Sequence, residues 1–276
     1  MKKLLYLFLV LPLIFSSCKK EDENTNTPNI NPTSGLIGYL TGNFNTFKTT
    51  DGGFTWTPIQ QETAITFDEG SSSFPAESFG FFVTDGNGAY KTIDGSINWT
   101  TMISEPFEFS SVDFPSISNG YIFNDNGEIF HKTTNGGDSW QTINLYTEIE
   151  LISFPSNDIG FGLTSNGELY KTTNGGSSWA EICDAYDFEG ICFPSENIGF
   201  GFFRDSSHDY YTYKSTDGGY SWSIINQGIE FQQIDFPSND IGFGHNGDEL
   251  YRTTDGGTSW TIIHEMEEDI ETISFL

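Results

Sequence analysis

A nine-residue stretch, KTTDGGFTW at residues 48–56, returns five times: KTIDGSINW (91–99), KTTNGGDSW (132–140), KTTNGGSSW (171–179), KSTDGGYSW (214–222) and RTTDGGTSW (252–260). The tryptophans that close the copies, Trp56, Trp99, Trp140, Trp179, Trp222 and Trp260, are 43, 41, 39, 43 and 38 residues apart. A unit of this size cannot bury its own apolar face. Neighbouring units must cover one another, in a linear array or a closed propeller.

The sequence between the copies selects the propeller. In the fourth unit, ELISF (150–154) is a short apolar strand and PSND (155–158) a turn. IGFGLT (159–164) is a second strand, SNG (165–167) a hairpin turn, ELYKTT (168–173) a third strand, NGG (174–176) a turn and SWAEI (178–182) a fourth strand. Asn-Gly and Asp-Gly pairs supply the left-handed backbone that tight hairpins need. Four short antiparallel strands per unit describe a propeller blade. The 16% aromatic content and 30 glycines suit an all-β protein rich in turns. The expected fold is therefore an all-β, six-bladed β-propeller of four-stranded antiparallel blades. The first unit (36–59) holds strands two to four but no strand one, whereas ETISF (271–275) is a strand one with nothing after it. The C-terminal strand should complete the N-terminal blade and close the ring, covering edges that would otherwise invite aggregation. A monomer is expected.

Ahead of the repeats, residues 1–18 carry Lys2, Lys3, an apolar run from Leu4 to Phe15, and then Ser16, Ser17 and Cys18. The run is too short to span a bilayer and has the order of a signal peptide. Small residues before a cysteine resemble the bacterial lipobox, in its looser Bacteroidota-type form because Phe15 replaces the usual leucine. That resemblance implies lipidation at Cys18. The KKEDE run at 19–23 resembles the acidic export tag of surface-exposed lipoproteins in the same group; the alternative is a merely solvated linker. Residues 19–35 are polar and proline-containing, hence a flexible tether, and residues 36–276 form the domain. The expected address is the cell envelope, as an outer-membrane lipoprotein facing outward or, alternatively, the periplasm.

Charge narrows the partners. The formal net charge is −28, with 11 basic residues. Six of these open the repeats (Lys48, Lys91, Lys132, Lys171, Lys214 and Arg252) and four are N-terminal, which leaves only Arg204. No surface able to neutralise nucleic-acid phosphates can be assembled. Nor can a basic membrane-adsorbing face, so membrane contact is expected through the lipid alone.

The pattern [ST]-x-[DN]-x-G-x-[ST]-W, in six copies across the domain, resembles the Asp-box (BNR repeat) family. The resemblance implies a propeller related to sialidase-like, sortilin-like and photosystem II assembly factor-like folds. Its third position is Asp51, Asp94, Asn135, Asn174, Asp217 and Asp255. Such side chains accept backbone N–H bonds within a turn, so we read them as turn staples rather than calcium ligands; Asn stands in for Asp twice, and calcium wants more oxygens. Ser96 replaces glycine in the second copy, which should strain that turn. Sialidase activity would need three arginines around the substrate carboxylate; the domain has two, one of them a repeat residue. The basic surface of the photosystem-type relatives is missing too.

In a four-stranded blade the boxes, which join strands three and four, mark one face. The strand 2–3 and 4–1 connections share the other, where variable chemistry is expected. We align the 4–1 connectors on the strand-one aliphatics Ile65, Val112, Ile152, Ile191, Ile234 and Ile273. Four residues earlier stand Gln61, Glu108, Glu148, Asp187, Glu230 and Asp269, and two earlier Thr63, Ser110, Glu150, Glu189, Gln232 and Glu271. Carboxylates so placed around the channel mouth could hold calcium or steer a basic partner; equally, they are a solvated position inherited by duplication. The 2–3 connection at 204–211 (RDSSHDYY) breaks the repeat with Arg204, His208, Tyr210 and Tyr211, residue types enriched at binding surfaces; the alternative is a tolerated insertion. Cys183 and Cys192 could bridge in an oxidising envelope or sit as small packed hydrophobes. No nucleophile elbow, phosphate loop or Cys–His arrangement is present. Apart from possible calcium, no cofactor is implied. The sequence thus reads as a non-catalytic, lipid-anchored binding module for a glycan or protein, with a glycoside hydrolase of the Asp-box propeller type as the alternative.

Overall fold

The structure is a computed structural model that describes residues 35–276 apart from 43–44, 61–69, 85–87, 104–107, 125–126, 128, 146 and 184–187. The signal segment, Cys18 and most of the tether lie outside the described residues.

Among the described residues, twenty-four strands form six four-stranded antiparallel sheets, one per blade. Blade 1 holds β1 (Gly38–Gly42), β2 (Thr46–Thr49) and β3 (Thr57–Ile59). Blade 2 holds β4 (Gly70–Ala76), β5 (Phe79–Thr84), β6 (Gly88–Thr92) and β7 (Thr100–Ile103). Blade 3 holds β8 (Phe109–Asp113), β9 (Gly120–Asn124), β10 (Ile129–Thr133) and β11 (Gln141–Asn144). Blade 4 holds β12 (Ile149–Ser153), β13 (Gly160–Thr164), β14 (Leu169–Thr172) and β15 (Ala180–Cys183). Blade 5 holds β16 (Gly190–Cys192), β17 (Gly199–Arg204), β18 (Tyr210–Ser215) and β19 (Ser223–Gln227). Blade 6 holds β20 (Gln233–Asp235), β21 (Gly242–Asn246), β22 (Glu249–Thr253) and β23 (Thr261–Glu265). The last strand, β24 (Ile270–Phe275), pairs with β1, so the sheet of blade 1 runs β24-β1-β2-β3 and the ring closes as expected.

One aromatic arrangement, repeated six times, holds blade to blade. The strand-two aromatic of each blade stacks on the strand-one phenylalanine of the next: Tyr39 on Phe74, Phe81 on Phe114, Tyr121 on Phe154, Phe161 on Phe193, Phe200 on Phe236 and Phe243 on Phe275, with centroids 3.3–3.9 Å apart. The tryptophan that closes each box meets the same phenylalanine edge-on, as Trp179 meets Phe154 at 5.8 Å and 86°. Each such pair adds about 0.5–1.5 kcal/mol beyond its buried area. The phenylalanine also explains the glycine that opens strand two. A Cβ on Gly160 would lie 2.3 Å from Phe154, and one on Gly80 would lie 2.2 Å from Phe74.

The alignment of blade 2 needs correction. Its first strand is β4, so Ser72, not Ile65, occupies the place of Val112 and Ile152. Phe67 mimics the Ile-x-Phe spacing, but Phe74 is followed by proline, as are Phe114, Phe154, Phe193 and Phe236. Packing of Phe74 on Tyr39 sets the register. Gln61, Thr63 and Ile65 lie outside the described residues.

Candidate functional site

The boxes are occupied by their own turns. In the first, Thr49 Oγ1 donates to Asp51 Oδ1 (2.8 Å) and accepts the Gly53 N–H (2.9 Å). Asp51 Oδ1 also accepts the Thr55 N–H (2.9 Å), while Oδ2 accepts the Thr55 hydroxyl (2.6 Å). Trp56 Nε1 donates to the Gly53 carbonyl (2.9 Å). Asn135 and Asn174 keep the pattern by donating Nδ2 to Ser139 and Ser178, each at 2.9 Å. Both carboxylate oxygens of Asp51, Asp217 and Asp255 are engaged within the turn, which leaves them poorly suited to bind a cation. Ser96 adopts φ 72°, the left-handed backbone that its replacement of glycine predicts.

The basic residue that opens each box serves the next blade. Lys48 pairs with Glu77 (2.7 Å), Lys91 with Asp138 (3.1 Å), and Lys132 donates to the Gly175 carbonyl (2.9 Å). Lys171 lies 5.8 Å from the Tyr220 ring, and Arg252, 4% exposed, stands 5.3 Å from the Phe54 ring. These cations are therefore spent on seams at the box face.

On the opposite face, Glu108, Glu148, Glu230 and Asp269 are all exposed, and Asp187 lies outside the described residues. Among the described residues no group of three or more His, Cys, Asp or Glu side chains is close enough to hold a metal ion. The carboxylates are instead distributed among local contacts. Glu148 lies in a recess with Asn166, Glu168 and Tyr170, and Asp269 lies near Gly247. Of the second set, Ser110 donates to the Glu150 carbonyl (2.8 Å) and Gln232 accepts the Gly247 N–H (2.8 Å). Glu150 and Glu189 line a groove of about 530 Å³ between blades 4 and 5, with Phe188, Leu151, Leu163 and Asn166.

The 204–211 stretch lengthens the two central strands of blade 5 into a tall hairpin, with Arg204 opposite Tyr210 and Phe203 opposite Tyr211. Asp205 shapes its tip by accepting the N–H groups of Ser207 (2.8 Å) and Asp209 (2.9 Å), and His208 takes φ 70° there. Because side chains alternate along a strand, the hairpin has two chemistries. On one side the Arg204 guanidinium sits 5.4 Å from the Tyr210 ring, and Glu230 accepts the Tyr210 hydroxyl, which holds that phenol's pKa up. On the other, Tyr211 stacks on Phe203 at 5.8 Å, with Tyr213 behind, packed against the core shared with blade 4. The stretch thus brings Arg204, Tyr210 and Glu230 together and sends Tyr211 to the groove side. His208 joins neither group.

The channel holds a set of residues that sequence reading missed. The residue before each strand-one phenylalanine accepts the backbone N–H of the next blade's phenylalanine. Ser73 accepts from Phe114 (3.0 Å), Asp113 from Phe154 (2.6 Å), Ser153 from Phe193 (2.9 Å), Asp235 from Phe275 (2.6 Å) and Ser274 from Phe74 (3.1 Å), while Cys192 accepts from Phe236. The signal was present as a Ser, Asp or Cys before each of the five Phe-Pro pairs, with Ser274 before Phe275 as the sixth. These side chains line a cavity of about 190 Å³. Burial, the largest effect, pushes Asp113 up to about 7, opposed by the Phe154 N–H and reinforced by the charge of Asp235; burial likewise pushes Asp235 up to about 6.

The two domain cysteines are not bridged, which corrects that alternative. Cys183 ends the outermost strand of blade 4 and Cys192 the innermost strand of blade 5, so the width of a blade separates them. Burial raises the Cys192 thiol well above its ordinary range, which keeps it protonated.

Six boxes on six such blades make the chain a six-bladed β-propeller with one box turn per blade. A family model described as photosynthesis system II assembly factor YCF48 matches residues 69–187. Among solved structures, YCF48 bound to D1 peptide is 16% identical over 83% of this chain and 85% of that one, with a TM-score of 0.47. The Niastella koreensis GH74 enzyme is 16% identical over 80% of this chain and 43% of that one (TM-score 0.55). The GH74 xyloglucanase from Xanthomonas campestris is 11% identical over 85% and 43% (TM-score 0.54). The chain thus spans less than half the length of these GH74 enzymes, and at such identities the likeness is one of fold. No curated protein matches the chain in sequence.

Proposed function

We propose that the chain is a non-catalytic binding module of the cell envelope, tethered by lipid at Cys18, that takes a glycan or protein ligand on the face opposite the boxes. The observation that carries this reading is the blade 5 hairpin. It is the one 2–3 connection built from Arg and Tyr, and it stands beside a groove walled by Phe188, Glu150 and Glu189. Aromatic faces with nearby carboxylates and amides suit sugar rings and peptide side chains alike. The box face, in contrast, has its polar groups and cations committed to turns and seams.

The soluble domain from residue 35, applied to a glycan array and used in a pull-down from the native envelope, tests the proposal. A specific ligand should be retained by the native domain. Binding should weaken at least about tenfold in Tyr211→Ala or Arg204→Ala, the loss of roughly 1.4 kcal/mol or more expected of an anchor residue. Unchanged binding in both variants would move the site elsewhere. Release of reducing sugar from a bound glycan would overturn the non-catalytic reading.

A further inference from the structure

A groove of about 460 Å³ lies between blade 1 and the connector that leaves β23 of blade 6. Its apolar wall is Phe47, Trp56 and Met266, and its lip is Glu265, Glu267 and Glu268. Blade 1 is unlike the others here. The residue before the box cation is Phe47, whereas Tyr90, His131, Tyr170, Tyr213 and Tyr251 hold that place in the other five. The wall therefore lacks the hydroxyl that Tyr251, for one, donates to Glu249. Trp56 Nε1 already donates to the Gly53 carbonyl (2.9 Å), and the ring meets Phe275 edge-on. Those contacts fix the indole and leave its π surface as what it can offer a ligand.

The lip is built into the fold. Asn45 Nδ2 donates to Glu268 Oε1 (2.8 Å), and Gly42 gives that carboxylate room, since a Cβ there would lie 3.0 Å from Glu268 Cδ. The connector is anchored on both sides of its acidic run. The Met266 N–H donates to the Asp248 carbonyl (2.9 Å) and the Ile270 N–H to the Gly247 carbonyl (3.0 Å). Residues 265–269 (EMEED) carry four carboxylates, and the aligned positions of no other connector hold more than two. No Lys or Arg is among the described residues that line the groove. Acceptors prevail there: three carboxylates against one amide, itself bonded to Glu268, and the imidazole of His264.

An occupant must therefore bring positive charge, several donors and a surface that suits an aromatic wall. An anion is repelled, and a sugar brings as many acceptors as donors. A guanidinium has five N–H donors and no acceptor, stacks on an indole and forks onto carboxylates. We propose that this groove is a docking site for an arginine side chain of a partner protein, with the guanidinium against Trp56 and held by Glu265, Glu267 and Glu268. The groove lies on other blades than the 204–211 hairpin, so either site can exist without the other.

A chain with a net charge of −28 attracts any basic partner, so the test must separate the groove from the general field. Residues 35–276, a ring closed by its own last strand, are titrated with a blocked hexapeptide carrying two arginines. The salt is about 0.15 M, where charges more than about 8 Å apart are screened. Counterpart peptides carry lysine, or citrulline, which keeps the shape of arginine without its charge. Calorimetry and the indole N–H signals of the six tryptophans read each titration. The Trp56 signal, identified by its absence in Trp56→Phe, should shift saturably while the other five stay in place. Citrulline should weaken binding at least about tenfold, and lysine should bind measurably more weakly than arginine. Glu265→Gln with Glu267→Gln, both exposed, should weaken the arginine peptide about tenfold. Glu181→Gln with Glu196→Gln removes the same charge from blades 4 and 5 and should change the affinity by less than about twofold. An unmoved Trp56 signal, equal binding of the citrulline or lysine peptide, or equal losses in the two double variants would overturn the proposal.

Discussion

At the scale of single residues, the boxes show how much a turn can do with its own side chains. Asp217 illustrates the economy. The Ser221 hydroxyl and N–H bind its carboxylate and, with Ser215, outweigh the burial that opposes them, holding its pKa below the usual 3.8. Its contribution is therefore present above the unfolded value and is lost as pH falls through the lower folded one. Asp217→Ala should cost about 1 kcal/mol at neutral pH, the turn being exposed, and chemical denaturation would read the loss. Ser96 is the complementary case. It is fully buried, sits at φ 72°, and its hydroxyl finds no hydrogen-bond partner among the described residues. Ser96→Gly should stabilise the domain by about 1 kcal/mol despite the added freedom of the unfolded chain, seen as a higher denaturation midpoint. A lower midpoint would mean that Ser96 makes a contact worth more than its strain.

At the scale of elements, strand one carries the fold. It supplies the phenylalanine on which both the neighbouring blade and the box tryptophan pack, and the acceptor that ties its inner edge to the next blade. β24 performs this for blade 1 from the far end of the chain, burying Ile270, Ile273 and Phe275. Deleting residues 270–276 should lower the melting temperature by more than about 10 °C, because several large core side chains go at once and β1 is left as an unpaired inner edge. A truncated domain that melts with the intact one would show that the ring does not depend on this closure. The blade 5 hairpin is the element that departs from the repeat, and its two-sided chemistry follows from strand alternation alone.

At the scale of the whole molecule, the ring divides its polar groups by face. Cations and boxes serve the seams on one side, the acidic connectors and the tall hairpin occupy the other, and the channel between them holds two half-buried carboxylates. Much of this was legible in the sequence. The box count sets the number of blades, the orphan strand at 271–275 announces closure, and the glycine at Ser96's position marks the strained turn by its absence. These are local signals with a fixed period, and local chemistry decides them. Three things were not legible. The register of blade 2 depended on which phenylalanine stacks on Tyr39, a choice between Phe67 and Phe74 that only packing makes. The separation of Cys183 from Cys192 depended on one lying at the rim and the other at the channel. The meeting of Asp113 with Asp235, 122 positions apart in the chain, required the ring itself. Periodicity in the chain specifies the blade and its neighbours, whereas which residues face each other across the axis is a property of closure.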